Sequence, residues 1–559
     1  GKGTRETTEI LCGILGESTC VGAIGPAGEN LLPLSGMINS RNHSGGGGLG
    51  AVLGAKKLKA IAVQGNYSVP VADAAEVMRL NKYVLEDLIG ANNNHVVPST
   101  PQSWAEYSSP GSRWNARAGL YWEAAEGGPI ETGEIPPGNI NTIGYRTFKS
   151  IYDLGAAAGK YTVKMGGCQS CPIRCQAQMD IPKIRDFGAK YTTGGNTCVA
   201  QFSHAYFFSS AGGLDPETSV MANLLGLNAF DDLGLWENYG QLWRDFNWCL
   251  THNVFQRVLP RAEYDSIPWQ KIQNKDISFI QDVYEKLAKN DSEFAYLSHG
   301  SYILAQRWNL GQEYWDAQAN NLWNTIGSAL HHSSENAAQV GALINCFWNR
   351  DPMNHSVVNL TGSGLPYEIQ KAKADKLWGV GALDQPNNYT PINEGKVNMT
   401  KWAILSMIIH NSLTLCNWVW PMTVSPLKSR DYDGDLDVEA QYMQAVTGEP
   451  CTTESLYLDA ERIFTLHRAL STLQYNSRNV RRDHDETWNA WIFNRDPDKR
   501  PFTPGTTKMD RADLQRALTM FYRVMGWDET TGIPTRATLN RLELGDMADR
   551  LAAAGLLPA

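Results

Sequence analysis

The chain has 559 residues, of which 42% are hydrophobic and 19% charged, and it carries a net charge of −9. That is enough sequence for several domains around a large core, and the acidic balance without a basic stripe excludes nucleic acid as the main partner. No apolar run reaches the roughly 18 residues of a membrane helix, no signal peptide opens the chain, and ten Cys are too dilute for a disulfide scaffold, so a cytoplasmic protein is expected.

Residues 1–66 open with a helical pattern (Glu6, Ile10, Leu11, Ile14) and a short apolar strand, Val21-Gly22-Ala23-Ile24-Gly25. A glycine-rich stretch follows at 43–50, then a basic strand, Lys56-Lys57-Leu58-Lys59-Ala60-Ile61-Ala62-Val63. Bare backbone N–H groups at Ser44 and Gly45 suit a phosphate, and a plain turn suits the same sequence equally well. A helix is expected through Ala75–Leu88. Residues 91–145 are then rich in Asn, Pro, Gly and aromatics (Trp104, Tyr107, Trp114, Tyr121, Trp122), which reads as an ordered segment roofing a pocket. The 18 Trp and 22 Tyr otherwise belong to the core.

Cys168, Cys171 and Cys175 stand at C-x2-C-x3-C. Three thiols at that spacing read as the local part of a [4Fe–4S] site whose fourth ligand lies elsewhere. Zinc would more often show a second C-x2-C or a His pair, and neither occurs; zinc and unliganded core thiols remain the alternatives. Largely helical sequence runs from 199 to about 330. Residues 331–365 then hold His331, His332, Glu335, Cys346 and His355, and the pattern after 400 is helical again, amphipathic over Ala460–Arg468.

These pieces resemble the aldehyde:ferredoxin oxidoreductase family, nearest to an enteric-bacterial branch without a defined substrate. The segment Asn411-Ser412-Leu413-Thr414-Leu415-Cys416 matches the family's D-x-x-G-L-C, and Asn223-Leu224-Leu225-Gly226-Leu227-Asn228 matches its D-x-x-G-L-D. Further matches are Ile24–Asn30, Gly48–Gly54, Leu58–Val63, Glu461-Arg462-Ile463 and Gly532-Ile533-Pro534-Thr535, in family order along the chain. The resemblance implies an α+β architecture: a β-rich pterin-binding part over 1–66, incomplete because a long preceding stretch of the family is missing, then mostly α-helical domains over 67–330 and 331–559. It implies a tungsten (or molybdenum) bis-pyranopterin, a Mg2+ bridging the pterin phosphates, and a [4Fe–4S] cluster completed by Cys416. Pterin contacts would come from Ser44, Gly45, Asn223, Gly226, Leu227, Asn228, Asn411, Thr414 and Leu415. The implied reaction is oxidation of an aldehyde, with ferredoxin or a ferredoxin-like subunit as acceptor. Some members are metal-bridged homodimers, but no E-x-x-H bridge motif is evident here.

Several departures qualify that picture. Asn replaces Asp at 223, 228 and 411, and Thr414 replaces Gly; the Asn side chain keeps an acceptor oxygen, loses the charge and adds donors. Charge-assisted hydrogen bonds are roughly twice as strong as neutral ones, so each contact is expected to weaken. No acid stands in Tyr191–Asn196, where the family has a glutamate beside the substrate. His355 is the first candidate for general acid–base work, followed by His331, His332 and Glu335. Cys198 lies 28 residues before Gly226, the spacing of a metal-ligating Cys in the related benzoyl-CoA reductase branch. A soft thiolate suits a heavy metal, and a buried core thiol is the equal alternative. The rival functions are a benzoyl-CoA-type reductase and a pterin-free Fe–S electron-transfer subunit.

Overall fold

The computed structural model describes residues 1–39, 44–88, 162–166, 176–196, 208, 211–236, 241–317, 338–347, 360, 366–384, 390–415, 420, 422–425, 428–488 and 510–559. They fall into two compact units, the first built from Gly1–Ser68 and Asn94–Gly311, the second from Val69–Asn93 and Leu330–Ala559 with two short intervening pieces shared between them. The expected small β part followed by mostly helical structure is what the chain shows.

The first unit opens with helix α1 (Thr4–Leu15) and an antiparallel four-stranded sheet. Its strands β1 (Cys20–Ile24), β2 (Met37–Asn39), β3 (Ser44–Gly45) and β4 (Ala60–Val63) lie in the order β3-β2-β1-β4, with Gly22 opposite Asn39 on one side and Ile61 on the other. The expected basic strand is therefore shorter than its sequence suggested. Lys56 caps helix α2 (Leu49–Ala55) and Lys57 turns with φ 56°, so pairing begins only at Ala60. A Cβ at Gly54 would stand 1.9 Å from the Gly28 carbonyl oxygen, so the family-like glycines of 24–30 and 48–54 let two helices touch backbone to backbone.

A second sheet, β5 (Thr162–Gly166), β6 (Gln176–Asp180) and β7 (Thr193–Asn196), is antiparallel throughout in the order β5-β6-β7. Helix α3 (Pro216–Leu233) starts at Asp215, whose carboxylate accepts the Thr218 N–H at 3.0 Å, and stops at Gly234 in the left-handed region. Helices α4 (Gln241–Thr251) and α5 (Phe279–Lys289) complete an aromatic core: Trp243 and Phe246 lie 5.6 Å apart, and the Trp243 indole donates to the Tyr284 hydroxyl at 2.7 Å. Trp243 and Tyr284, at least, serve the core as expected.

The second unit is helical. Its axis is α6 (Glu394–Leu413), buried along most of its length and capped by Asn393, which accepts the Lys396 N–H at 2.9 Å. The Lys396 ammonium is buried 2.8 Å from Asp384, and burial holds it below its ordinary pKa against that pairing. Against α6 pack α8 (Thr453–Tyr475) and α9 (Arg511–Met525), and α7 (Val438–Thr447) reaches it through the Glu439 contact with His410. Buried Arg468 on α8 donates to Asp485 through both terminal nitrogens and to the Gly532 carbonyl at 2.9 Å, while Tyr522 donates to Asp485 at 2.6 Å. Ile533 and Leu539 lie in the adjoining core. The Glu461-Arg462 and Gly532–Thr535 matches are thus structural. Glu461 pairs with Lys401 and Arg541, and the Thr535 hydroxyl accepts the Thr538 N–H.

Candidate functional site

The second sheet gathers the first candidate residues. Gly166 pairs with Gln176 across β5 and β6, so residues 167–175, which carry Cys168, Cys171 and Cys175, leave and rejoin the sheet on one rung. Ala177 pairs with Asn196 on β7, the neighbouring rung at the same end. Cys198 follows two residues later. The four thiols themselves, like Cys416, lie outside the described residues, as do His331, His332, Glu335, His355 and the 91–145 aromatics. Among the described residues no three His, Cys, Asp or Glu side chains gather to hold a metal.

The first Asn motif lies in the middle of α3, and its two asparagines have different surroundings. Asn228 is spoken for: its amide donates to the Tyr191 carbonyl at 2.9 Å and its oxygen accepts from Arg5 at 2.8 Å. The Arg5 guanidinium also donates to the Thr193 carbonyl at 3.1 Å and lies 4.7 Å from the Tyr191 ring centre. Together these contacts tie α1, α3 and the start of β7 in one knot. Burial pushes the Tyr191 phenol above its ordinary value, against the pull of nearby Lys190. Asn223, by contrast, is completely buried, and among the described residues neither its amide nitrogen nor its oxygen has a hydrogen-bond partner. A buried amide without partners costs about 1–3 kcal/mol. Gly226 and Leu227 lie on the same helix, Leu227 buried.

The glycine-rich stretch has a reason of its own. A Cβ at Gly46 would stand 2.8 Å from the Trp236 ring and one at Gly45 2.5 Å from the end of the Leu49 side chain, so internal packing already favours glycine at Gly46. Gly47, with φ 66°, faces open space.

In the second unit, Asn411, Thr414 and Leu415 form the end of α6. Asn411 and Thr414 are exposed, and Thr414 closes the helix with φ 56°. The His410 carbonyl accepts the N–H groups of both Thr414 and Leu415, the latter at 2.9 Å. The His410 ring, buried, contacts the buried Glu439 carboxylate of α7 at 2.7 Å. Sequence reasoning missed His410, Glu439, Arg5 and Tyr191. The only signal was a polar residue closing the apolar run Met407-Ile408-Ile409.

A small β part followed by mostly helical structure, with two Asn motifs of which only the first keeps its glycine, defines an α+β scaffold, and comparison with known proteins makes the assignment. A profile of "Aldehyde ferredoxin oxidoreductase, domains 2 & 3" matches residues 89–544, and the N-terminal domain of the same family matches residues 1–65. The chain belongs to the aldehyde ferredoxin oxidoreductase family. A tungsten-containing aldehyde ferredoxin oxidoreductase of Pyrococcus furiosus is 27% identical over 316 residues, covering 55% of this chain and 45% of that protein. One of Thermococcus kodakarensis is 31% identical over 191 residues, 33% of this chain and 27% of that protein. The chain therefore aligns with less than half the length of these curated relatives. Among solved structures, the active site complex BamBC of benzoyl coenzyme A reductase superposes with a TM-score of 0.64 at 18% identity, covering all of this chain and 79% of that one, a likeness of fold.

The family's metal–pterin group can be tested against these residues. Asn223 fits a ligand that supplies its missing donors and acceptors. Asn228 does not offer itself, since both ends of its amide are engaged within the protein.

Proposed function

We propose that this chain is the catalytic part of a tungsten- or molybdenum-pterin oxidoreductase that converts an aldehyde and water to a carboxylic acid, releasing two protons and two electrons. The bound metal–pterin group would supply the two-electron chemistry, and the protein binds, orients and excludes water. The observation that carries the reading is the meeting of thiol-bearing segments at one sheet end, on the rungs Gly166–Gln176 and Ala177–Asn196. Asn223 is the described residue whose amide is available to hold the pterin. Cys168, Cys171, Cys175 and Cys416 would hold a [4Fe–4S] cluster that passes electrons singly to ferredoxin or a ferredoxin-like subunit. His355, with His331, His332 and Glu335, is proposed to move the proton, because imidazole titrates near neutrality. No helix among the described residues is long and apolar enough to cross a membrane.

A second reading, a benzoyl-CoA-type reductase, is favoured by the position of Cys198 two residues beyond Asn196, at the same sheet end. A panel of aldehydes and CoA thioesters separates the two.

The deciding measurement is elemental and pterin analysis of the full-length protein purified without oxygen. About one W or Mo, two pterins and four Fe per chain are expected. Four Fe with neither W, Mo nor pterin would reduce the chain to an electron-transfer role, and zinc alone would overturn the cluster assignment.

A further inference from the structure

We infer that the buried His410–Glu439 pair is a positioning device for the second motif: it anchors the left-handed turn at Thr414 that presents Leu415 and the following Cys416. Three observations meet at this point. First, Thr414 is β-branched and sits at φ 56°, ψ 35°, a conformation that glycine or asparagine takes readily and a β-branched residue avoids. Such a turn persists only where its surroundings hold it. Second, the His410 carbonyl accepts two N–H groups from that turn, those of Thr414 and Leu415. Any shift of the His410 backbone therefore moves the turn with it. Third, the His410 ring is fixed at 2.7 Å against Glu439, both side chains almost wholly buried, on a different helix. The anchor is thus tertiary, where helix propensity alone would leave the last turn of α6 to fray.

Exposure points the same way. Asn411 and Thr414 are exposed while His410 is buried, so the helix end is held from its buried side. The pair is not proposed to touch substrate or cofactor. It acts through the backbone of 410–415.

The test uses the full chain and two readouts, of which only the second rests on the reading of Cys416 as a cluster ligand. The variants are His410→Leu/Glu439→Leu, which removes both polar groups together and leaves no buried charge unpaired, and Glu439→Gln, which keeps an acceptor for the ring. Amide exchange over 410–416, followed by mass spectrometry, is expected to quicken roughly tenfold or more in the double-leucine variant, to stay near wild type in Glu439→Gln, and to return toward wild type when Thr414→Gly is added, because glycine needs no anchor at φ 56°. Wild-type exchange over 410–416 in the double-leucine variant would overturn the inference. So would quickened exchange that Thr414→Gly fails to restore. Iron per chain is the second readout. Quickened exchange with iron lost supports both the anchor and the ligand role of Cys416; quickened exchange with iron retained supports the anchor and removes Cys416 from the ligand set. Should the double-leucine variant not fold, Thr414→Gly alone decides, since it is expected to slow exchange at Leu415 in the wild-type background and no change would refute the strain.

Discussion

At the scale of single residues, Asn223 and Asn228 show what a sequence pattern conceals. Both stand in one motif, and both replace the acid that the family pattern would place there. Packing separates them: Asn228 spends its amide on Tyr191 and Arg5, while Asn223 is buried with nothing to bond among the described residues. An unmet buried amide penalises the cofactor-free fold, and a ligand that supplies the partners recovers that cost. Asn223→Leu is therefore expected to stabilise the cofactor-free chain by about 1 kcal/mol, since apolar groups of similar size carry no such penalty. The same variant should retain several-fold less pterin on gel filtration. A variant destabilised when cofactor-free, with pterin content unchanged, would make Asn223 a packing residue and leave the first motif without a ligand-directed amide. The motif was legible from its spacing; which of its asparagines is free was not, because that depends on Arg5, more than two hundred residues away in sequence.

At the scale of elements, the first sheet's principal strands and the long helices could be read from apolar periodicity, and the second sheet could not. Strands β5 and β6 do alternate, with Val163, Met165, Ala177 and Met179 at the apolar positions, but over only five residues each, and β7 carries only Thr, Gly and Asn, so the pairing is what reveals the sheet. Their importance is positional, since the segments bearing four thiols join this sheet at one end. What fixes β7 is the Arg5 contact set, reaching Thr193, Asn228 and the face of Tyr191. Arg5→Met keeps the apolar stem and removes the guanidinium. It is expected to cost about 1–2 kcal/mol and to speed amide exchange across Thr193–Asn196 while leaving β1 and β4 unchanged. Uniform loss of protection in both sheets would show Arg5 to be a general stabiliser instead of a clamp on β7.

At the scale of the whole molecule, the sequence pattern divides the chain into parts of 1–66, 67–330 and 331–559, whereas the described residues group into two units, one of which joins the front sheet to the helices of α3 to α5. Periodicity marks elements, but it carries no record of which element packs on which. The same limit applies to the acid response, which depends on burial. Burial holds His299 in the first unit and His467 in the second below the ordinary imidazole value of 6.5, for His299 against the opposing pull of Glu293. A lowered histidine binds its proton more readily in the unfolded chain, so its contribution is full above pH about 6.5 and is lost as pH falls through the folded value. Lower still, hydrogen bonds from Arg307 hold Glu293 below the ordinary 4.5, and Glu461 is held low by Lys401 and Arg541 although burial alone would raise it. For these depressed carboxylates the contribution is full above pH about 4.5 and disappears on further acidification. Stability of the full chain, from denaturant midpoints between pH 8 and pH 4, should therefore decline in two stages, first below about 6.5 and then below about 4.5. His299→Gln keeps a donor for Asn290, whose oxygen lies 2.9 Å from the ring, and removes one titration, so the first stage should become shallower. A midpoint that rises as pH falls from 7 to 5.5, in wild type and variant alike, would mean that histidines gaining charged partners on folding outweigh these two.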